Sequence, residues 1–162
     1  MLLLFTLSKV KISVYYFINI KNYRPYHKFT WPRRRNKVDI RIIKTENAPA
    51  AKTLFSQAVR AGDTLYVSGQ LPIDMKTGLI PTDIREQVRC SMNNISEVLK
   101  AAGGSLENAV RMTIYLKDLD TFDSVNEVYA SYFKESLPAR TTVEVARLPK
   151  DALIEIDCIA AL

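Results

Sequence analysis

Apolar and polar positions alternate most cleanly near the middle of the chain, where Val110, Met112, Ile114 and Leu116 are interleaved with Arg111, Thr113, Tyr115 and Lys117. A period of two is the signature of a strand with one buried face. The period changes on either side. Ile84, Val88, Ile95 and Leu99 are spaced by 4, 7 and 4, which places them on one face of a helix. Asp83 with Glu86 resembles a capping box at the start of that helix, and Gly103-Gly104 supplies the left-handed stop. Phe122, Val125, Val128, Tyr129, Tyr132 and Phe133 predict a second helix from about Thr121, behind an Asp120 cap and closed by Pro138. Its aromatic stripe reads as core.

Shorter runs supply the remaining strands. Residues 37–43 read as one, and 55–59 as the next. Ala61-Gly62-Asp63 is a hairpin turn leading into a strand over 64–69. Two more, 141–148 and 153–161, finish the chain around Pro149-Lys150-Asp151. The order β-β-β-α-β-α-β-β predicts an α+β fold, a mixed six-stranded sheet with two helices packed on one face.

Charge divides the chain unevenly. Residues 1–44 carry eleven Lys and Arg against Asp39 alone, a net +10, whereas residues 45–162 hold 12 basic and 16 acidic side chains, a net −4. A mildly acidic body tracks phosphate poorly, which argues against nucleic acid as a partner. The N-terminal part begins Met1-Leu-Leu-Leu-Phe5 and has no acid before Asp39. Lys9, Lys11 and Lys21 break any stretch approaching the roughly 20 apolar residues of a membrane span. Residues 1–37 read as a targeting leader to a plastid, an apicoplast-like organelle or a mitochondrion, or as a disordered extension, preceding a domain over 38–162. The alternative is an over-extended start, with the mature protein in the cytoplasm.

The inventory excludes several chemistries. His27 is the single histidine and falls in the leader, so the domain lacks the imidazole that Ser-His-Asp or Cys-His catalysis needs. Cys90 and Cys158 are too far apart in sequence for a zinc motif and read as packed thiols. The five glycines form no nucleotide-binding loop. No metal or cofactor is expected.

Arg140, Glu144, Arg147, Glu155 and Asp157 remain, all on the last two strands. Glu155 and Asp157 point to one face and Ile154 and Ile156 to the other. An arginine fork binds a carboxylate through two parallel hydrogen bonds. If the acidic face meets a subunit boundary, Arg140 with a nearby carboxylate could hold a small acid and present a water to it. Arg140 and Glu155 could equally form a structural ion pair.

Several segments carry a resemblance. Lys44-Thr-Glu-Asn-Ala-Pro-Ala50, Tyr66-Val-Ser-Gly-Gln-Leu-Pro72, Phe122-x-x-Val-Asn126-x-x-Tyr129, Leu137-Pro-Ala-Arg-Thr-Thr-Val-Glu-Val-Ala-Arg-Leu-Pro-Lys-Asp151 and Ile154-Glu-Ile156 resemble the RidA (YjgF) family, also labelled endoribonuclease L-PSP. The resemblance runs from about Lys44 to Leu162. It implies a chorismate-mutase-like fold in a homotrimeric barrel with clefts between subunits. The implied activity is hydrolysis of reactive 2-imino and enamine acids, 2-iminobutanoate and 2-iminopropanoate among them, to 2-keto acids and ammonia. It further implies that Arg140 clamps the substrate carboxylate, that Glu155 orients or activates water, and that Ser68, Gly69, Phe55, Phe122, Asn126 and Thr142 shape the cleft. Phe55 stands where many members have tyrosine, and Thr142 where cysteine is frequent. An iminium carbon is already electrophilic, so placing a water beside it suffices without metal or cofactor. The alternatives are an endoribonuclease that inhibits translation and a non-catalytic trimer that binds small acids or acts as a chaperone.

Overall fold

A computed structural model describes residues 38–49 and 54–162. The expected leader over 1–37, including His27, lies outside the described residues. The domain runs β1 (Ile40–Ile43), β2 (Ala58–Ala61), β3 (Thr64–Gln70), α1 (Ile84–Ala101), β4 (Ala109–Leu116), α2 (Phe122–Ala130), β5 (Ala139–Glu144) and β6 (Ile154–Ala161), with short 3₁₀ turns before β4, α2 and β6. The expected order of elements is the observed one. The strands form one sheet in the order β1-β2-β3-β6-β4-β5. Only the β4–β5 pair is parallel, with α2 as its crossover; the other neighbours are antiparallel.

Both helices pack on one face of the sheet. Leu65, Met112, Ile114, Leu116, Ile154 and Ile156 are fully buried there against Val88, Met92, Ile95, Val98 and Leu99 of α1 and Val125 of α2. Each such side chain contributes about 1.5–3 kcal/mol by leaving water, which ties the register to this face. The opposite face has no helix over it, and Ile40, Ile42 and Tyr66 are 67%, 59% and 51% exposed on it.

Helix α1 begins and ends as its sequence predicts. The Asp83 side chain accepts from the Glu86 amide. At the far end Gly103 adopts φ +87°, and the Gly103 and Gly104 amides donate to the carbonyls of Lys100 and Leu99, a Schellman closure. Several expectations shift. The second strand is Ala58–Ala61 rather than 55–59, and α2 ends at Ala130, short of Tyr132, Phe133 and Pro138. Asp120 does not cap α2; Asp118 instead accepts from the Asp120 amide and caps the preceding 3₁₀ turn. Val110 is 50% exposed because the β4–β6 register shifts between Ala109 and Arg111, which puts Ala109 in the core. The strand expected over 141–148 is Ala139–Glu144, at the sheet edge.

Buried amides tie loops to this frame. The Gln57 amide nitrogen donates to the carbonyls of Thr45, Ala48 and Pro49, and its oxygen accepts from the Thr45 amide. Gln87 on α1 accepts from the Leu153 amide at 2.8 Å, fixing the chain two residues before Glu155.

Candidate active site

The expected site residues gather in two groups. The first is on the helix-free face. Between Val67, opposite Cys158, and Gln70, opposite Ile156, β3 has three steps against two on β6, so Ser68 and Gly69 form a bulge. Ser68 Oγ donates to the Ser56 carbonyl at 2.7 Å, drawing Phe55-Ser56 to the bulge, and Phe55 is exposed. Glu155 folds over Gly69, and a Cβ built there would fall on its carboxylate. The missing side chain is therefore what admits Glu155.

Glu155 is half-buried. Burial first, and the charge of Asp157 second, push its carboxyl above the usual carboxylate range. Tyr115 lies directly across from Glu155 on β4 and donates its hydroxyl to Asp157 Oδ2 at 2.9 Å. That bond and burial push the Tyr115 phenol up. The carboxyl nearest the bulge thus holds protons more tightly than a free glutamate does.

The second group is on the helix side. Arg140 pairs with Met112, and Thr142 with Ile114, so both share the face that α2 covers. The Arg140 Cζ lies 4.9 Å from the Tyr129 ring centroid and 5.5 Å from that of Phe122. No hydrogen bond or ion pair engages the Arg140 side chain among the described residues, so its N–H groups are open to a ligand. On the neighbouring α2 and β5, Asn126 Oδ1, the Tyr129 hydroxyl and Thr142 Oγ1 are buried without hydrogen-bond partners among the described residues.

Arg140 and Glu155 do not meet within one chain. β4 runs between their strands, and the two side chains project from opposite faces of the sheet. The structural ion pair is accordingly absent. Strand alternation assigned Glu155 its face, but Arg140's face depends on its pairing with β4. Tyr129, read only as core, also supports Arg140, and its spacing of seven from Phe122 on α2 was the available signal.

Neither cysteine is poised as a thiolate: burial pushes Cys158 up to about 12, and burial with Asp74 and Glu86 raises Cys90. Among the described residues no three His, Cys, Asp or Glu gather as metal ligands, and no helix is long and apolar enough to cross a membrane.

A mixed sheet backed by two helices, with an open arginine on one face and a proton-holding carboxylate on the other, defines an α+β protein with two charged surface groups. The family model for endoribonuclease L-PSP matches residues 45–162. A RutC family protein from Pyrococcus horikoshii is 53% identical over 120 residues, covering 74% of this chain and 95% of the relative. The Escherichia coli 2-iminobutanoate/2-iminopropanoate deaminase is 45% identical over 123 residues, 74% of this chain and 96% of the relative. The crystal structure of E. coli TdcF with bound serine superposes with a TM-score of 0.72 at 41% identity, covering 75% of this chain and 98% of that one. The chain belongs to the endoribonuclease L-PSP family, the RidA/YjgF and RutC proteins.

Proposed function

We propose that this protein hydrolyses 2-imino acids to 2-keto acids and ammonia, at sites formed between protomers of a homotrimer. The observation that carries this reading is the open guanidinium of Arg140. Two charge-assisted hydrogen bonds to a substrate carboxylate would contribute about 1.5–3 kcal/mol each. Glu155 of the adjoining protomer completes the site. Water adds to C2 as the C=N double bond opens, and Glu155 takes a proton from it. Glu155 then returns that proton to the amino nitrogen of the tetrahedral adduct. As the C–N bond breaks and ammonia leaves, Glu155 takes the hydroxyl proton and passes it to the departing ammonia. The balance is iminium acid and water giving 2-keto acid and ammonium.

Two further observations support the assembly. Each protomer has the two halves on different surfaces, so a head-to-tail ring joins Arg140 of one copy to Glu155 of the next. The helix-free face exposes Ile40, Ile42 and Tyr66, apolar area that a ring of sheets would cover. The Escherichia coli relative at 45% identity is a 2-iminobutanoate/2-iminopropanoate deaminase. A nuclease is less well supported, because residues 45–162 have a net charge of −4.

Subunit mixing tests the proposal. Arg140→Ala should lower kcat/KM for 2-iminobutanoate generated in situ by about 10²-fold or more, as loss of charged hydrogen bonds requires. Glu155→Gln alone should be nearly inactive. Unfolding and refolding the two together at equal amounts should restore about a quarter of wild-type activity, because random mixing in a head-to-tail ring leaves that fraction of interfaces intact. Wild-type turnover by Arg140→Ala would overturn the clamp, and a mixture no better than its parents would overturn the shared site.

A further inference from the structure

The Arg140 guanidinium is held in a way that differs from every other arginine engaged in this domain. Arg41, Arg60, Arg85 and Arg89 each meet a carboxylate in an ion pair. Arg140 meets none among the described residues and lies over two aromatic rings instead. The distinction matters chemically. A ring attracts a guanidinium through its face, whereas hydrogen bonds to a carboxylate leave through the in-plane N–H groups, so the two can coexist. A carboxylate partner from the same chain would occupy the donors that a substrate needs.

Tyr129 is the better placed of the two rings. It is 5% exposed, its ring packs 4.9 Å from that of Phe133, and its hydroxyl has no partner. Burial pushes its phenol up to about 12, so the ring stays neutral at physiological pH. An unpartnered buried hydroxyl contributes nothing to folding that a phenylalanine would not; the ring face is the useful part.

We infer that Tyr129, assisted by Phe122, is a positioning residue that holds the Arg140 guanidinium in place for the substrate carboxylate. This rests on the imine-hydrolase reading and assigns a source of carboxylate affinity within it. A long, rotamer-rich side chain at an exposed sheet edge would otherwise sample many placements, and each binding event would have to select one.

The test compares wild type, Tyr129→Leu, Tyr129→Phe, Phe122→Leu and Arg140→Ala. Each is assayed for kcat and KM with 2-iminobutanoate generated in situ and for the Kd of 2-oxobutanoate by calorimetry. Tyr129→Leu should raise KM and Kd about tenfold, equivalent to about 1.4 kcal/mol, with kcat changed by less than about threefold. Tyr129→Phe should restore both constants to within about twofold, and Phe122→Leu, at the longer distance, should raise them about threefold. Should Tyr129→Leu fail to fold, Phe122→Leu decides the matter. Wild-type KM and Kd in the leucine variants, beside their loss in Arg140→Ala, would overturn the positioning role and leave the hydrolase reading standing. So would a fall in thermal stability and kcat with KM unchanged, the mark of a purely structural ring. If Arg140→Ala itself keeps wild-type KM and Kd, both the reading and this inference fall.

Discussion

On the helix-free face a carboxylate is pressed against a bulge and crowded by a second acid; at the edge strand, on the other face, a guanidinium rests on aromatic rings with its donors open. The first environment opposes charge. Burial and Asp157 make Glu155 reluctant to stay ionised. The second environment attracts charge, because Tyr129 and Phe122 turn their rings toward the Arg140 cation. The difference matches the two tasks proposed for these residues. A base must want the proton it takes from water, whereas a clamp must stay charged and keep its hydrogen bonds for the ligand.

The contrast is broken most severely by Glu155→Gln, which keeps the shape and removes the proposed base. It should lower kcat by about 10²–10⁴-fold, the usual worth of a positioned general base. The fold should not suffer. Because the Glu155 carboxyl binds its proton more tightly folded than unfolded, its ionised form costs stability at pH values above the raised folded pKa, and that cost disappears below the ordinary glutamate range. Thermal melting at pH 7 should therefore show Glu155→Gln no less stable than wild type, and a large drop in melting temperature would count against this account of the carboxyl.

Gly69→Ala attacks one half without touching the other. The new Cβ would fall on the Glu155 carboxylate, so that side chain must move. Misplacement by about 1 Å can cost about 10²-fold in rate, and a fall in kcat of about 10–10²-fold is expected. The Kd for 2-oxobutanoate should change less than kcat does, since in the proposed site the carboxylate is held by Arg140 and not by Glu155. A large loss of binding with kcat intact would reverse the roles of the two halves.

Asp157→Asn gives the smallest and most diagnostic effect. Removing the like charge beside Glu155 lowers its proton affinity, so the acid limb of the kcat/KM profile should move to lower pH. The bond from Tyr115 remains available to the amide oxygen. An acid limb that stays where wild type has it would mean that burial alone sets the carboxyl.

Much of the fold was legible because it is recorded locally. The Asp83 cap, the Gly103-Gly104 stop and the four-residue spacing of α1 each need only neighbours along the chain. The same is true of Glu155 and Ile154 facing opposite ways. Misreadings arose where a register shift or a competing cap intervened. Val110 lost its place in the core because one residue at Ala109–Arg111 is out of step with β6, and a 3₁₀ turn capped by Asp118 leads into α2, which has no side-chain cap of its own.

The residue types of the site were also legible. Without a histidine in residues 38–162 and with only two cysteines, the last two strands had to supply the charged chemistry, and the Arg140 and Glu155 motifs pointed to it. Their relation was not. Consecutive strands joined by a short turn suggest neighbours, yet β4 lies between β5 and β6, and a residue's face on β5 is set by pairing with Met112 and Ile114 rather than by anything adjacent in sequence. Chain-local forces, the helical period, caps and strand alternation, determined which elements form and which side of each is apolar. Which strands pair, and therefore that the guanidinium and the carboxylate stand back to back across one sheet, is decided only when distant segments bury their apolar faces together, because burial is a property of the assembled sheet and not of any one strand.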